Sequence, residues 1–351
     1  MALLNKFSAF LVLAAINVVL VLGLVTGIEL AFGDWFAPYM PPAVVVVNRS
    51  YTYHQELYEP PGDVLYIRDK YGLRGVHEPL AQVELVTVGG STTDQRYITE
   101  GETWQDALRS LSGIRVANAG ADGMTSLGHV VAVTEWLHEI PDFRPKYHLH
   151  YIGVNDASLG KESAVYDRPG AQAPLLRTIR RRSLIAKAAE KLWFQASGPR
   201  EVSHGRITEA DDAQPKMRKP AIDAGDIEKF IETTYKPNLR RLIALHRQRS
   251  ESVVFVSQPA HPAIVRWTAG EPLVSAKYPD LDRWAVALGL INRATEAVCR
   301  ETADICRFSD LATRVRFELR DFYDLVHATP AGARKIGGFL AEELAFIRPG
   351  T

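Results

Sequence analysis

Four short stretches of the chain carry residue types that could cooperate in acyl transfer. Gly89-Gly90-Ser91-Thr92-Thr93 places a serine directly after a strand-like run. Glycines there permit tight backbone geometry, so the hydroxyl would stand at the mouth of a strand-to-helix turn. Asn118-Ala-Gly120 and Gly153-Val-Asn155-Asp156 follow two further strand-like runs. Asp324-Leu-Val-His327 comes just before a final helical stretch. Together they offer a hydroxyl nucleophile, a base, a carboxylate to orient the base, and backbone and amide donors for an oxyanion. Each also has a plainer reading. The glycines around Ser91 suit a simple turn, and Asp324 suits a helix N-terminal cap. A phosphate cradle is disfavoured because no lysine follows Ser91-Thr92.

The elements that must position these residues alternate from residue 83 onward. Val83–Val88, Ile114–Asn118, Lys146–Ile152, Ser252–Ser257 and Ile305–Phe308 read as strands. Thr103–Leu111, Ser126–Glu139, Ile227–Arg249, Arg283–Arg300 and Thr329–Ile347 have helical spacing. Such alternation implies a mostly parallel sheet covered by helices on both faces. In such sheets a site forms beyond the carboxyl ends of the strands, where all four stretches fall. Two Pro-containing insertions, at about 157–222 and 260–282, interrupt the rhythm and are expected to wall or cover the site.

The ordered set resembles the SGNH (GDSL-type) hydrolase superfamily over about Val83 to Ile347, with the insertions unmatched. Ser91 matches the nucleophile of that family. Gly120 matches the glycine whose amide contributes to the oxyanion hole, Asn155 the asparagine whose side-chain amide is another donor, and Asp324 and His327 the Asp-x-x-His pair. One departure is Gly90, where the family's Gly-Asp-Ser has aspartate. Gly-Gly-Ser-Thr variants are familiar from envelope-associated branches. The resemblance implies a flavodoxin-like three-layer α/β/α sandwich with a parallel sheet. It implies a Ser91–His327–Asp324 triad, with Ser91, Gly120 and Asn155 forming the oxyanion hole. The expected activity is that of a serine esterase removing ester-linked acyl groups, with an O-acylated envelope or secreted polysaccharide as preferred substrate. An O-acetyltransferase using the same triad is the alternative. A non-catalytic scaffold of a polysaccharide assembly complex is the alternative of another class.

The apolar residues are concentrated at the start. Phe7 to Ile28 contains no charged residue, and twenty-two residues reach roughly 33 Å as a helix, the thickness of a bilayer core. Lys6 precedes the run, while Glu29 and Asp34 follow it. The positive-inside rule then keeps the N-terminus cytoplasmic and exports the rest. A cleaved signal peptide is the rival, but the run is longer than its usual apolar region, and Gly27-Ile28-Glu29 is a poor cleavage site. The expected layout is a signal anchor at 1–30, a juxtamembrane extension at 31–82, and a catalytic domain at 83–349.

The whole-chain averages hide this asymmetry. Forty-one Lys+Arg balance 41 Asp+Glu among 351 residues, which argues against an electrostatic nucleic-acid binder. A mean hydropathy of -0.09 excludes a polytopic membrane protein but not a single span. Two cysteines exclude a disulfide scaffold and a cysteine-based zinc cluster. Cys299 and Cys306 could pair in an oxidising compartment or remain buried thiols. No cofactor and no metal are expected. His148-x-His150 puts two imidazoles on one side of a strand, but no third ligand has suggestive spacing, so strand packing is the reading. Arg180-Arg181-Arg182 could touch anionic headgroups or an acidic polysaccharide, with a solvated face preferred. Asp156 reads as a structural hydrogen-bonding residue, and Asn48-Arg-Ser50 as an uninformative sequon match.

A reporter enzyme fused at the C-terminus should be active outside the cytoplasm. Activity confined to the cytoplasm would reverse the orientation read from Lys6, Glu29 and Asp34.

Overall fold

Every residue of β3 (Leu85–Gly89) and β4 (Val116–Gly120) is buried, as strands covered by helices on both faces must be. They join β5 (Tyr147–Tyr151), β7 (Ser252–Val256) and β10 (Cys306–Ser309) in one parallel sheet of order β10-β7-β5-β3-β4. In chain order this is the 2-1-3-4-5 doubly wound arrangement, whose switch point lies between β3 and β5. The register brings Gly120, Gly89, Tyr151, Val256 and Ser309 to one level at the carboxyl edge. The computed structural model describes residues 2–37, 39–42, 45–159, 175–198, 202, 205–207, 215–268 and 270–347.

Period-two alternation sends the strand side chains to opposite faces. Leu85, Val116, Leu149 and Val254 pack with Trp104, Leu108, Ile336 and Leu340 from the helices Trp104–Ser112 and Pro330–Glu343. On the other face Val253 and Phe255 pack with Leu239, Leu242, Leu288 and Ile291 from Lys236–Gln248 and Asp282–Arg300. Burying one such side chain fully contributes about 1.5–3 kcal/mol. Thr103 caps the first of these helices in a capping box with Asp106, and Thr329 caps the last by accepting from Gly332 N. The expected three-layer architecture is observed, with strand boundaries shifted by one or two residues.

The expected extension at 31–82 contains more structure than its composition announced. β1 (Arg49–Gln55) and β2 (Gly62–Arg68) form an antiparallel hairpin. Tyr53, Leu57, Val64 and Tyr66 from this region pack with Tyr97 and Tyr323 of the main body. The second insertion supplies β8 (Val265–Thr268) and β9 (Glu271–Ser275), which pair with β6 (Met217–Arg218) in a separate three-stranded sheet. Residues 160–174, 199–201, 203, 204 and 208–214 of the first insertion lie outside the described residues. Its part 175–198 forms the helices Leu175–Arg182 and Leu184–Ala196. Cys299 and Cys306 are joined in a disulfide between the helix Asp282–Arg300 and β10.

The apolar N-terminal run forms one helix, Ala2–Phe32. Its segment Phe10–Phe32 has mean hydropathy 2.6 and none of it is buried by the protein, so it is long and apolar enough to cross a membrane. The Arg run is not the solvated face expected from sequence. Arg181 donates to the carbonyls of Pro41, Pro42 and Val45, and Arg182 to those of Asp34 and Trp35. Only Arg180 behaves as a surface cation, pairing with Glu190. Glu29, at the far end of the N-terminal helix, accepts from Leu184 N, Ile185 N and Ser183 Oγ. These amides open the helix Leu184–Ala196 and have no intrahelical acceptor of their own. The carboxylate therefore ties the N-terminal helix to the insertion.

The hairpin is fastened to the sheet by a buried ion pair. Arg68 Nη2 donates to Asp94 Oδ1 at 2.6 Å, and Tyr66 O–H donates to the same carboxylate. Arg68 also donates to the Gly72 and Gly120 carbonyls, and Arg74 to the Asp94 carbonyl. Burial alone would raise the Asp94 pKa, but Arg68, Arg74 and Arg96 outweigh it and hold the carboxyl below its ordinary value. Asp94→Asn should cost on the order of 3 kcal/mol, because it leaves Arg68 buried without its counter-charge. A depressed carboxyl stabilises the fold above the ordinary carboxylate range and loses that contribution as pH falls through its lowered value. The variant should therefore show a shallower fall of thermal midpoint in acid than the wild type. Parallel curves would remove Asp94 from the acid dependence.

Candidate active site

β3 ends in Gly89, and after Gly90 the chain turns at once into the short helix Ser91–Asp94. That turn lies directly on its neighbours. A Cβ at Gly89 would overlap Thr93, and one at Gly120 would overlap the Thr93–Asp94 backbone. Ser91 thus stands at the sheet's switch point, with its N–H at the first helical position, where no helical partner exists.

His327 reaches Ser91 from the other end of the sequence. Its Nε2 lies 2.7 Å from Ser91 Oγ. Its Nδ1 lies 2.7 Å from Asp324 Oδ2. A carboxylate can only accept, so Nδ1 carries the proton and Nε2 presents its lone pair to the serine hydroxyl. Asp324 Oδ1 also accepts from the backbone N–H groups of Val326 and His327, at 3.0 and 2.8 Å. Burial would raise the Asp324 pKa, but these bonds from His327 and Val326 outweigh it and keep the carboxyl below its ordinary value. The imidazole stacks on the Tyr323 ring, with centroids 5.6 Å apart and planes within 8°. The ring is therefore fixed by a carboxylate, a hydroxyl and an aromatic face together.

Asn155 follows β5 and lies beside the serine turn. Its Nδ2 donates to the Met124 carbonyl at 2.9 Å, which leaves its second amide N–H uncommitted by that bond. The same nitrogen sits against the Gly90 Cα, where a Cβ would collide with it. A side chain at position 90 would need the space that the Asn155 amide occupies. Asp156 behaves as the sequence suggests. Its carboxylate accepts from Ser126 N and Ser126 Oγ and so caps the helix Ser126–Glu135.

Gly120 requires a correction. Its N–H donates to Asn118 Oδ1 at 2.8 Å, so that amide is already committed within its own strand end. Of the expected constellation, Ser91, Asp324 and His327 meet directly, and Asn155 lies against Gly90, the residue before Ser91. Gly120 contributes close backbone approach instead. Gly123, which sequence reasoning passed over, lies three residues on in the turn that carries the Met124 carbonyl. It has φ +76°, and its N–H meets no acceptor among the described residues. Gln258 was also missed. It donates to the Tyr151 carbonyl at 2.9 Å and accepts from Thr92 Oγ1 at 3.1 Å, joining the ends of β5 and β7 to the serine turn. Its position just past a strand end was the available signal.

The fold sets a serine hydroxyl, an imidazole and a carboxylate in hydrogen-bonded line at the carboxyl edge of a doubly wound sheet. No family model matches the chain, and no curated protein matches it. Among solved structures it is similar to a lipolytic protein of the G-D-S-L family from Veillonella parvula DSM 2008, at 13% identity and a TM-score of 0.42, over 74% of this chain and 96% of that one. It is also similar to a putative acylhydrolase from Bacteroides fragilis NCTC 9343, at 12% identity and a TM-score of 0.42, over 78% and 92%. An acetyl-xylooligosaccharide esterase from Geobacillus Stearmophilus is similar at 14% identity and a TM-score of 0.42, over 75% and 94%.

Gly90→Ala should push the Asn155 amide away from Ser91. Misplacement by about 1 Å can cost about 10²-fold in rate. The labelling rate of Ser91 by a serine-directed phosphonate should fall on that scale while the protein remains folded by circular dichroism. An unchanged rate would place the Asn155 amide outside the reacting centre.

Proposed function

We propose that this chain is a membrane-anchored serine esterase of the SGNH type, acting on ester-linked acyl groups, acetyl foremost, of an envelope or secreted polysaccharide. The observation that carries the esterase reading is the 2.7 Å contact between Ser91 Oγ and His327 Nε2, with Asp324 holding the opposite nitrogen. Serine is a weak nucleophile at its own pKa and needs such a base. His327 takes the Ser91 proton as Oγ attacks the ester carbonyl. Asp324 fixes the tautomer and stabilises the imidazolium. The proton then passes from His327 to the leaving alcohol, and an acyl-serine remains. Water activated by His327 resolves it to acid and free enzyme, whereas a sugar hydroxyl in place of water would make the same site an acetyltransferase.

The oxyanion is met by Ser91 N–H and the second N–H of the Asn155 amide. The third donor is assigned to Gly123 in place of Gly120. Gly123 N–H is unclaimed among the described residues and lies in the turn held by Asn155, whereas Gly120 N–H is bound to Asn118. Each donor of this kind typically supplies about 2.7–4 kcal/mol of barrier lowering.

The anchor reading rests on the span Phe10–Phe32 and on Glu29. Cleavage after residue 28 would cut Glu29 away from the apolar helix while leaving it bonded to the helix Leu184–Ala196. An uncleaved helix instead holds the catalytic body at the membrane surface through the same carboxylate. With Lys6 on the cytoplasmic side, the site faces the periplasm or cell exterior.

Incubation with a chromogenic acetyl ester tests the reading. Ser91→Ala and His327→Ala should each lower kcat by at least about 10³-fold, and Asn155→Ala by about 10²–10³-fold. Equal rates in wild type and Ser91→Ala would sink the esterase. Acetyl transfer to a sugar acceptor exceeding hydrolysis would convert it to a transferase.

A further inference from the structure

The opposite, amino-terminal edge of the sheet holds a cluster the proposed chemistry does not use. His148 is the second residue of β5, Glu251 immediately precedes β7, His246 lies in the last turn of the helix Lys236–Gln248, and His138 lies in the turn after the helix Ser126–Glu135. One nitrogen of each imidazole and one Glu251 oxygen all lie within 4.8 Å of one another. His148 and His246 are fully buried, and Glu251 nearly so.

The donors are too many for one carboxylate oxygen. Glu251 Oε2 lies 2.8 Å from His246 Nδ1, 3.1 Å from His138 Nε2 and 3.1 Å from His148 Nε2. A carboxylate oxygen has about two lone-pair sites. His246 and His138 take them. His148 Nε2 is close but out of line, and neither nitrogen of this fully buried ring has a well-aligned hydrogen-bond partner among the described residues. A buried polar group left unpaired costs about 1–3 kcal/mol, so such an arrangement calls for a partner. The other Glu251 oxygen accepts from Arg249 Nε at 3.1 Å, which fixes the carboxylate plane.

We propose that His138, His148, His246 and Glu251 form a closed four-ligand site for a divalent transition metal, zinc by preference. Three imidazoles and one carboxylate are a borderline N3O set, suited to zinc rather than calcium or magnesium. Tetrahedral zinc with bonds of about 2.0–2.1 Å sets ligand atoms roughly 3.3 Å apart, close to the oxygen–nitrogen spacings already present. An ion at the centre gives every nitrogen a use for its lone pair, His148 included. Four protein ligands leave no open position, so the site is structural. About 13 Å of strand separates it from the carboxyl edge.

A second row of histidines stands behind the first. His246 Nε2 lies 3.0 Å from His150 Nε2, and His150 Nδ1 lies 2.9 Å from His129 Nδ1. In the metal-free chain His246 Nδ1 must carry a proton for Glu251. Its Nε2 then accepts from His150, whose Nδ1 accepts from His129. Metal on His246 Nδ1 displaces that proton and moves it to Nε2, where it donates to His150. His150 and His129 must then change tautomer in turn, each nitrogen exchanging donor for acceptor with no net change in charge. A ligating histidine that donates its other N–H in this way is the usual outer-shell arrangement. The expectation of ordinary packing for His148-x-His150 is thereby revised: one histidine becomes a ligand and the other its support.

The full chain in detergent, stripped with a chelator, is titrated with Zn²⁺ and separately with Co²⁺. One equivalent of zinc should be retained through dialysis, the thermal midpoint should rise, and cobalt should give the intense visible bands of a four-coordinate ion. Histidine ¹⁵N spectra should show His150 and His129 switching tautomer. His138→Ala, at the partly exposed ligand, should weaken zinc at least 10-fold, and Glu251→Gln likewise if it folds. No retained zinc with no thermal shift in the wild type overturns the site. Retention unchanged in a folded His138→Ala variant also overturns it. Neither result touches the esterase reading, which Ser91→Ala tests alone.

Discussion

Close backbone packing at the carboxyl edge of the sheet is the constraint on which the site depends. The helix Ser91–Asp94 rests directly on the glycine ends of β3 and β4, which carry no side chains there. Gly89, Gly90 and Gly120 each occupy a place where a Cβ would overlap Thr93, Asn155 or the Asp94 backbone. This contact seats the Ser91 turn and lets the Asn155 amide approach it. It also turns Asp94 inward, where its charge must be balanced, and the Arg68–Asp94 pair meets that need. The hairpin that supplies Arg68 is therefore part of the support for the serine turn, although it precedes the sheet in sequence.

The two edges of the parallel sheet use their side chains in opposite ways. At the carboxyl edge, the loops after β3, β4 and β5 collect a hydroxyl, a carbonyl-bound amide and backbone donors. The loop before the last helix brings the imidazole and its carboxylate. At the amino edge, strand starts and helix ends meet, and the residues there are buried histidines around one glutamate. Burial pushes the His129 and His246 pKa values down to about 3 and lowers those of His148 and His150 as well. Parallel topology makes this division possible, because every strand runs from the one set of loops to the other.

The first insertion connects the body to the apolar helix rather than simply covering the site. Arg181 and Arg182 hold the carbonyls of residues 34, 35, 41, 42 and 45, and Glu29 caps the helix Leu184–Ala196. Three arginines in a row read as a solvated charge run because sequence does not show how many carbonyls face them. An extended segment rich in proline leaves backbone carbonyls unpaired, and guanidinium forks are well suited to collect them.

What the sequence determined by itself was local or periodic. Alternating strand and helix patterns defined the three-layer fold, since burial on both faces demands unbroken apolar strands and one-sided helices. The glycine turn at Ser91, the amide at Asn155 and the Asp324–His327 pair were legible because each lies within a few residues of a strand end or helix start. The apolar run after Lys6 was legible because length and lack of charge are one-dimensional properties. Tertiary structure alone decided the rest. Gly120 looked like an oxyanion donor until Asn118, two residues away, was seen to take its N–H. The tyrosine-rich 49–68 segment looked like an extension until its alternate residues met Tyr97 and Tyr323. His138, His148, His246 and Glu251 span more than a hundred residues, and no spacing rule joins them. Only the register of β5 against β7, and the return of one helix to that same edge, brings four ligand atoms to one point.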